Sequence, residues 1–187
     1  DADGISTAAS VGNNAALTIG GALASGGSVT NASARQVTIL SAGNDSSKSF
    51  NIVGTDVNGA ALTENLTGAN AGTATSSGYF KTITSITAVG NPAGNVSAGI
   101  NNNALGVIFA GRTRLQGFSF VSGGTAGKAN LRDGGATGTE LIQFRSTGTD
   151  NLSDGARGFP DEGILFKSGC FVTFIVGTVD LMMFYHA

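Results

Sequence analysis

The chain has 187 residues, 41% of them hydrophobic, and only 12% are charged, about half the share of ordinary soluble domains. A net charge of −2 and a pI near 5.2 leave no basic stripe for nucleic acid. The single cysteine, Cys170, excludes an intrachain disulfide, no apolar run has the length of a membrane-spanning helix, and no secretory leader is expected.

Residues 1–34, "DADGISTAASVGNNAALTIGGALASGGSVTNASA", are rich in Ala, Gly and Ser and hold no aromatic residue. Short apolar beats such as "ALTIGGAL" predict either weak strands or an extended arm that orders on a partner. Residues 35–111 form a first β module and a linker. In "RQVTILSAG", Val37 and Ile39 alternate with Gln36, Thr38 and Leu40; in "SFNIVGTD", Phe50 and Ile52 share a face. Asn58-Gly59 is expected to supply the positive φ values of a tight hairpin turn. The returning run, "AALTENLTG", places Glu64 in phase with Leu62 and Leu66, a carboxylate on the face that should be apolar. Three fates are open to it: guarding an edge strand as an inward charge, pairing with Arg35, Lys48 or Lys81, or pairing with a neighbouring subunit. In "GYFKTITSITAVG", Ile83 and Ile86 lie three apart, which breaks the period of two and predicts a bulge or a short strand. Asn91-Pro92-Ala93-Gly94 is a further turn, and "NVSAGI" closes the series.

"NNNALGVIFAG", residues 101–111, is expected to link two units, because charge shifts there. Residues 1–111 carry Arg35, Lys48 and Lys81 against Asp1, Asp3, Asp45, Asp56 and Glu64, whereas residues 112–187 hold seven basic and seven acidic groups. The second module, 112–187, continues through "RLQGFSFVSGG", "KANLRDGG", "TELIQFRSTG" and "EGILFKSG". In the third of these, Leu141, Gln143 and Arg145 alternate with Ile142 and Phe144. "CFVTFIV" and "TVDLMMFYHA" are apolar on both faces, as in strands covered on two sides, with a hairpin at Gly177-Thr178. Turn signals every 8–12 residues and the absence of a helical period predict an all-β chain: two small β-sandwich or barrel-like modules in tandem, the second β-sandwich or jelly-roll-like, behind a Gly/Ala/Ser-rich N-terminal arm.

Few residues carry chemistry. "SGGTAGKA", 122–129, lacks the glycine spacing and the hydroxyl after Lys128 that a phosphate-binding loop needs. "DNLSDG" puts Asp150 and Asp154 at the first and fifth positions of a calcium loop, but Leu152 takes the third and Asp161 the twelfth. A calcium ion shared by Asp150, Asp154, Asp161 and Glu162 is the one metal candidate, against a plain solvated acidic loop. His186 has no evident orienting group, and Cys170 reads as a small core residue. No enzyme and no cofactor are expected.

The strings "RQVTI-SAGNDS", "GTD-NG-ALTE", "TGANAGTATSSGYFKT-TSIT" and "AGNVSAGI" together resemble a module common in virion structural proteins of tailed bacteriophages, especially marine ones. The likeness covers residues 1 to about 100. Residues 113–187, from "GFSFVSGGTAG" to "FPDEGILFKSGCFVTFIVGTVDLMMFYHA", resemble more loosely another small phage β module. The resemblance implies a part of the particle surface, made in the host cytoplasm and present in many symmetric copies. Its leading form is a capsid decoration or cement protein that binds the major capsid protein and copies of itself, as a trimer or another homo-oligomer. The alternatives are a tail adaptor, a tail fibre or spike component, or a carbohydrate-binding module on the particle. Neither nucleic acid nor membrane is an expected partner. The residues expected to meet partners are Ala16, Leu17, Ile19 and Leu23 in the arm, with Glu64, Tyr79 and Phe80 in the first module.

Overall fold

The computed structural model describes residues 1–122, 125–146, 153–160, 162–175 and 179–186. Among them the chain is all-β and carries no helix: fourteen strands form one ten-stranded antiparallel sheet and one four-stranded sheet, and neither closes as a barrel. The chain divides into two compact units, Asp1–Asn102 and Asn103–Ala187. The division falls before the expected Gly111. Residues 101–109 are not a linker but the second half of a strand, in which the Asn101 side chain donates to Gln36 and the Asn102 carbonyl accepts from Arg35.

The first unit contains β1 (Ser6–Ala9), β2 (Ala24–Ser25), β3 (Ser28–Ser41), β4 (Ser49–Thr55), β5 (Ala61–Thr67), β6 (Thr73–Val89) and the start of β7 (Val96–Phe109). Its strand order is β7-β3-β6-β4-β5, with β1 on β7 and β2 on β3. The alternation seen in the sequence is the core-facing set: Val37, Ile39, Phe50 and Ile52 are fully buried, with Phe80, Ile83, Ile86 and Val96. Residues 1–27 are short strands and turns within this unit, and residues 28–34 open β3. Ile5 and Leu17 belong to the same core, held by Ile5 N–H donating to Ala98 O (2.9 Å) and Leu17 N–H to Ile86 O (2.8 Å).

The predicted bulge is present. Val53 pairs with Ser85 but Gly54 with Ile83, so Thr84 is the extra residue. It turns out to solvent and donates its hydroxyl to Val53 O (3.1 Å), and this one-residue insertion lets Ile83 and Ile86 both face the core. The β4–β5 turn differs from expectation. Gly59 has φ +83°, but Asn58 is not in the left-handed region. Asp56 explains the wider turn: its Oδ1 accepts Asn58 N–H (2.8 Å) and Ala60 N–H (2.9 Å), and Gly59 N–H reaches Asp56 O (3.1 Å). This is the three-residue loop with a glycine bulge, not the two-residue turn.

The second unit contains the remainder of β7, then β8 (Thr113–Ser122), β9 (Gly127–Asp133), β10 (Thr139–Ser146), β11 (Ser153–Gly158), β12 (Ile164–Phe166), β13 (Cys170–Ile175) and β14 (Val179–His186). One layer has the order β10-β9-β13-β7; in the other, β8 is flanked by β11 and β12 on one side and pairs with β14. Leu115, Leu131, Phe144, Phe166, Cys170 and Val172 form its core, with Phe118 edge-on to Phe144 at 4.6 Å between ring centroids. In β13 consecutive residues Cys170 to Thr173 are all buried, which accounts for its continuous apolar reading. The Gly177-Thr178 hairpin lies outside the described residues.

Candidate functional site

The residues expected to meet partners do not share one surface. Leu17 and Phe80 are corrections: they are 4% and 0% exposed, members of the first core, and present nothing to a partner. Phe80 belongs to the same buried cluster as Ile83 and Ile86. Ile19 is half-buried against the same core, Tyr79 is half-buried opposite Gln36, and Ala16 and Leu23 are exposed.

Glu64 is held by backbone N–H groups of its own unit, and among the described residues it forms no ion pair with Arg35, Lys48 or Lys81. Its Oε1 accepts Ser77 N–H (2.8 Å) and its Oε2 accepts Gly78 N–H (2.7 Å). The need for it arises in β6. Gln36 pairs with Tyr79 and Thr38 with Thr75, so Ser76, Ser77 and Gly78 face only Val37 across the ladder. A bulge of that size leaves N–H groups without strand partners. Glu64 supplies two of the missing acceptors. Ser76 supplies another, its Oγ accepting Val37 N–H (2.8 Å) while donating to Gly78 O (2.9 Å). Gln36 Nε2 donates to Ser76 O (2.8 Å), and Asn101 Nδ2 donates to Gln36 Oε1 (2.8 Å). A Cβ on Gly78 would stand 2.9 Å from Glu64 Oε2, so glycine is what admits the carboxylate. Two of the three basic candidates for Glu64 are engaged elsewhere: Arg35 donates to Asn102 O (3.0 Å) and Lys81 to Ala32 O (2.8 Å).

Several other carboxylates are taken up within the fold. Asp45 is fully buried and its Oδ1 accepts Ala93 N–H (2.7 Å), joining the loop after β3 to the loop before β7. Asp133 accepts Lys167 N–H (3.0 Å) and Ser168 N–H (2.7 Å) at the turn between β12 and β13. Arg132 pairs with Glu140 at 3.0 Å. Sequence reading missed these roles. The one local signal is Asp56 two residues before Asn58, the pattern of a carboxylate that folds back on its own loop; Asp133 instead reaches a turn that is distant in sequence.

The calcium candidates are not brought together by what is described. Asp150 and Asp161 lie outside the described residues, as does the side chain of Asp154, and Glu162 pairs with Arg114 at 2.8 Å. Cys170 is buried, and desolvation, with the nearby Asp133 charge second, pushes its thiol up to about 12. It is thereby a poor nucleophile at neutral pH. His186 pairs by its backbone with Arg114 at the end of β14, and its side chain lies outside the described residues. The 122–129 stretch runs from the end of β8 to the start of β9, a connection between strands and not the strand-to-helix entry of a phosphate loop.

Among the described residues, β5 stands at one limit of its sheet with an uncharged, exposed outer face. No family model matches the chain. No curated protein matches it, and no solved structure does.

Proposed function

We propose that this protein is a structural component of a phage virion, a decoration or cement protein that binds the shell of the major capsid protein and stabilises it. The reading rests on the phage-like strings of residues 1 to about 100 and on one structural observation that supports it. Asp45, Asp56 and Glu64 of the first unit serve its own loops and bulges, and its outward strand residues are mainly Thr, Asn, Ser and Ala. A free surface this poor in charge is unusual, and it suits a molecule covered by neighbours in an assembly. Burying such surface on the assembled shell, and not on free subunits, stabilises the shell by mass action.

The role is binding, with no catalytic step assigned. The test is copy number in purified virions by quantitative mass spectrometry. A decoration protein approaches the number of capsid subunits. A count near a dozen per particle overturns the decoration reading and places the chain in the tail.

A further inference from the structure

Among the described residues, the outer edge of β5 has no strand partner. Two hydrogen bonds fix the phase of the β4–β5 ladder: Asp56 N–H to Ala60 O (2.8 Å) and Gly68 N–H to Lys48 O (3.0 Å). Between them the register runs without a shift from Ser49↔Thr67 to Thr55↔Ala61. In an antiparallel pair, alternate residues turn both backbone groups towards the partner. Leu62, Glu64 and Leu66 are thus the residues that bond β4. Ala61, Thr63, Asn65 and Thr67 turn their N–H and C=O groups the other way. All four are exposed, and β5 has no strand partner on that side among the described residues.

Edges of this kind are ordinarily blunted by lysine, proline, a bulge or an inward charge. β5 has no lysine, no proline and no bulge. Its one charge, Glu64, is of the inward kind that can guard an edge, but the N–H groups of Ser77 and Gly78 already hold both its oxygens, so an incoming strand leaves it satisfied.

We propose that the occupant of this edge is β5 of a second copy, paired antiparallel across a two-fold axis. The charge pattern selects it. The outward set is neutral and small, so an identical strand meets no opposing charge, and matched length comes from identity. The axis passes through Asn65. That register sets Asn65 against itself, where two amides exchange donor and acceptor, and sets Thr63 against the partner's Thr67, a favourable cross-strand pair. Glu64 then lies beside the partner's Leu66. Centring on Glu64 instead would oppose two carboxylates. The Asn65 register forms about six new backbone hydrogen bonds. An edge of seven residues is small beside a standard interface, so the dimer is weak and concentration-dependent. The inference is independent of the virion reading.

Sedimentation velocity of the full chain from about 10 μM to 1 mM, with Thr63→Lys beside it, tests the site. The wild type is expected to shift towards dimer over this range, and Thr63→Lys to weaken the dimer at least tenfold with its circular dichroism unchanged. Cysteine scanning tests the register and does not depend on the lysine variant folding. Opposed residues in the Asn65 register lie within disulfide reach, so Asn65→Cys should cross-link to itself under mild oxidation and Thr63→Cys should not. A wild type that stays monomeric at about 1 mM, a dimer that Thr63→Lys leaves intact, or equal cross-linking at both positions each overturns the proposal.

Discussion

Replacing Glu64 with Ala removes both acceptors that the β6 bulge relies on. Each lost bond runs from a backbone N–H to a carboxylate, at 2.8 Å from Ser77 and 2.7 Å from Gly78. A hydrogen bond to a charged group is worth about 1.5–3 kcal/mol where it is desolvated. The Ser77 bond is exposed and water replaces it, while the Gly78 bond is partly buried. The expected loss is therefore about 2–3 kcal/mol for the first unit, nearer one full bond than two. Glu64→Gln should fall between, because its single amide oxygen can take one N–H while its NH₂ faces the other donor. Urea unfolding of both variants gives the loss. Amide hydrogen exchange at Ser77 and Gly78 gives its location, with protection lost there before the rest of β6. If Glu64→Ala unfolds within about 0.5 kcal/mol of wild type, the range of an ordinary surface substitution, the carboxylate is not what closes the bulge.

Deleting Thr84 removes the extra residue of the second bulge and forces either Ile83 or Ile86 outward, a loss of about 2–4 kcal/mol read by the same urea titration. Phe80→Ala should cost about 3–5 kcal/mol, whereas exposed Leu23→Ala should stay within about 0.5 kcal/mol; their order in thermal unfolding checks that Phe80 is core and not interface. Cys170 should resist iodoacetamide at pH 8 in the folded protein and react fully once unfolded. Its thiol is raised in the fold from 9.0 to about 12, so the stabilisation is whole below about 9 and is lost as pH rises towards 12. Cys170→Ala should flatten that alkaline slope.

The sequence made the strand faces legible wherever period-two alternation ran unbroken: Val37 with Ile39, Phe50 with Ile52, Ile142 with Phe144. It also located one bulge, because Ile83 and Ile86 can share a core only if a residue is inserted between them. Alternation could not say what lies across the fold. Glu64 meets Ser77 and Gly78 only after the chain has turned back, and the Ser76–Gly78 bulge itself interrupts no apolar pattern. The same holds for "NNN" at 101–103. Polar side chains read as a linker, yet Asn101 bonds Gln36 and Asn102 accepts from Arg35 within the first unit's part of the fold. The exposed half of β5 was visible in its small polar residues, but its standing at the limit of the sheet depends on strand order, which alternation does not encode.

The proposed decoration role is tested most directly by adding the purified chain to purified shells that lack it and sedimenting them at low and at high salt. The role predicts saturable co-sedimentation at a stoichiometry near that of the capsid subunits. It also predicts little loss at about 1 M salt, because a contact poor in charge has little for salt to screen. A chain that stays in the supernatant at saturating concentration contradicts it.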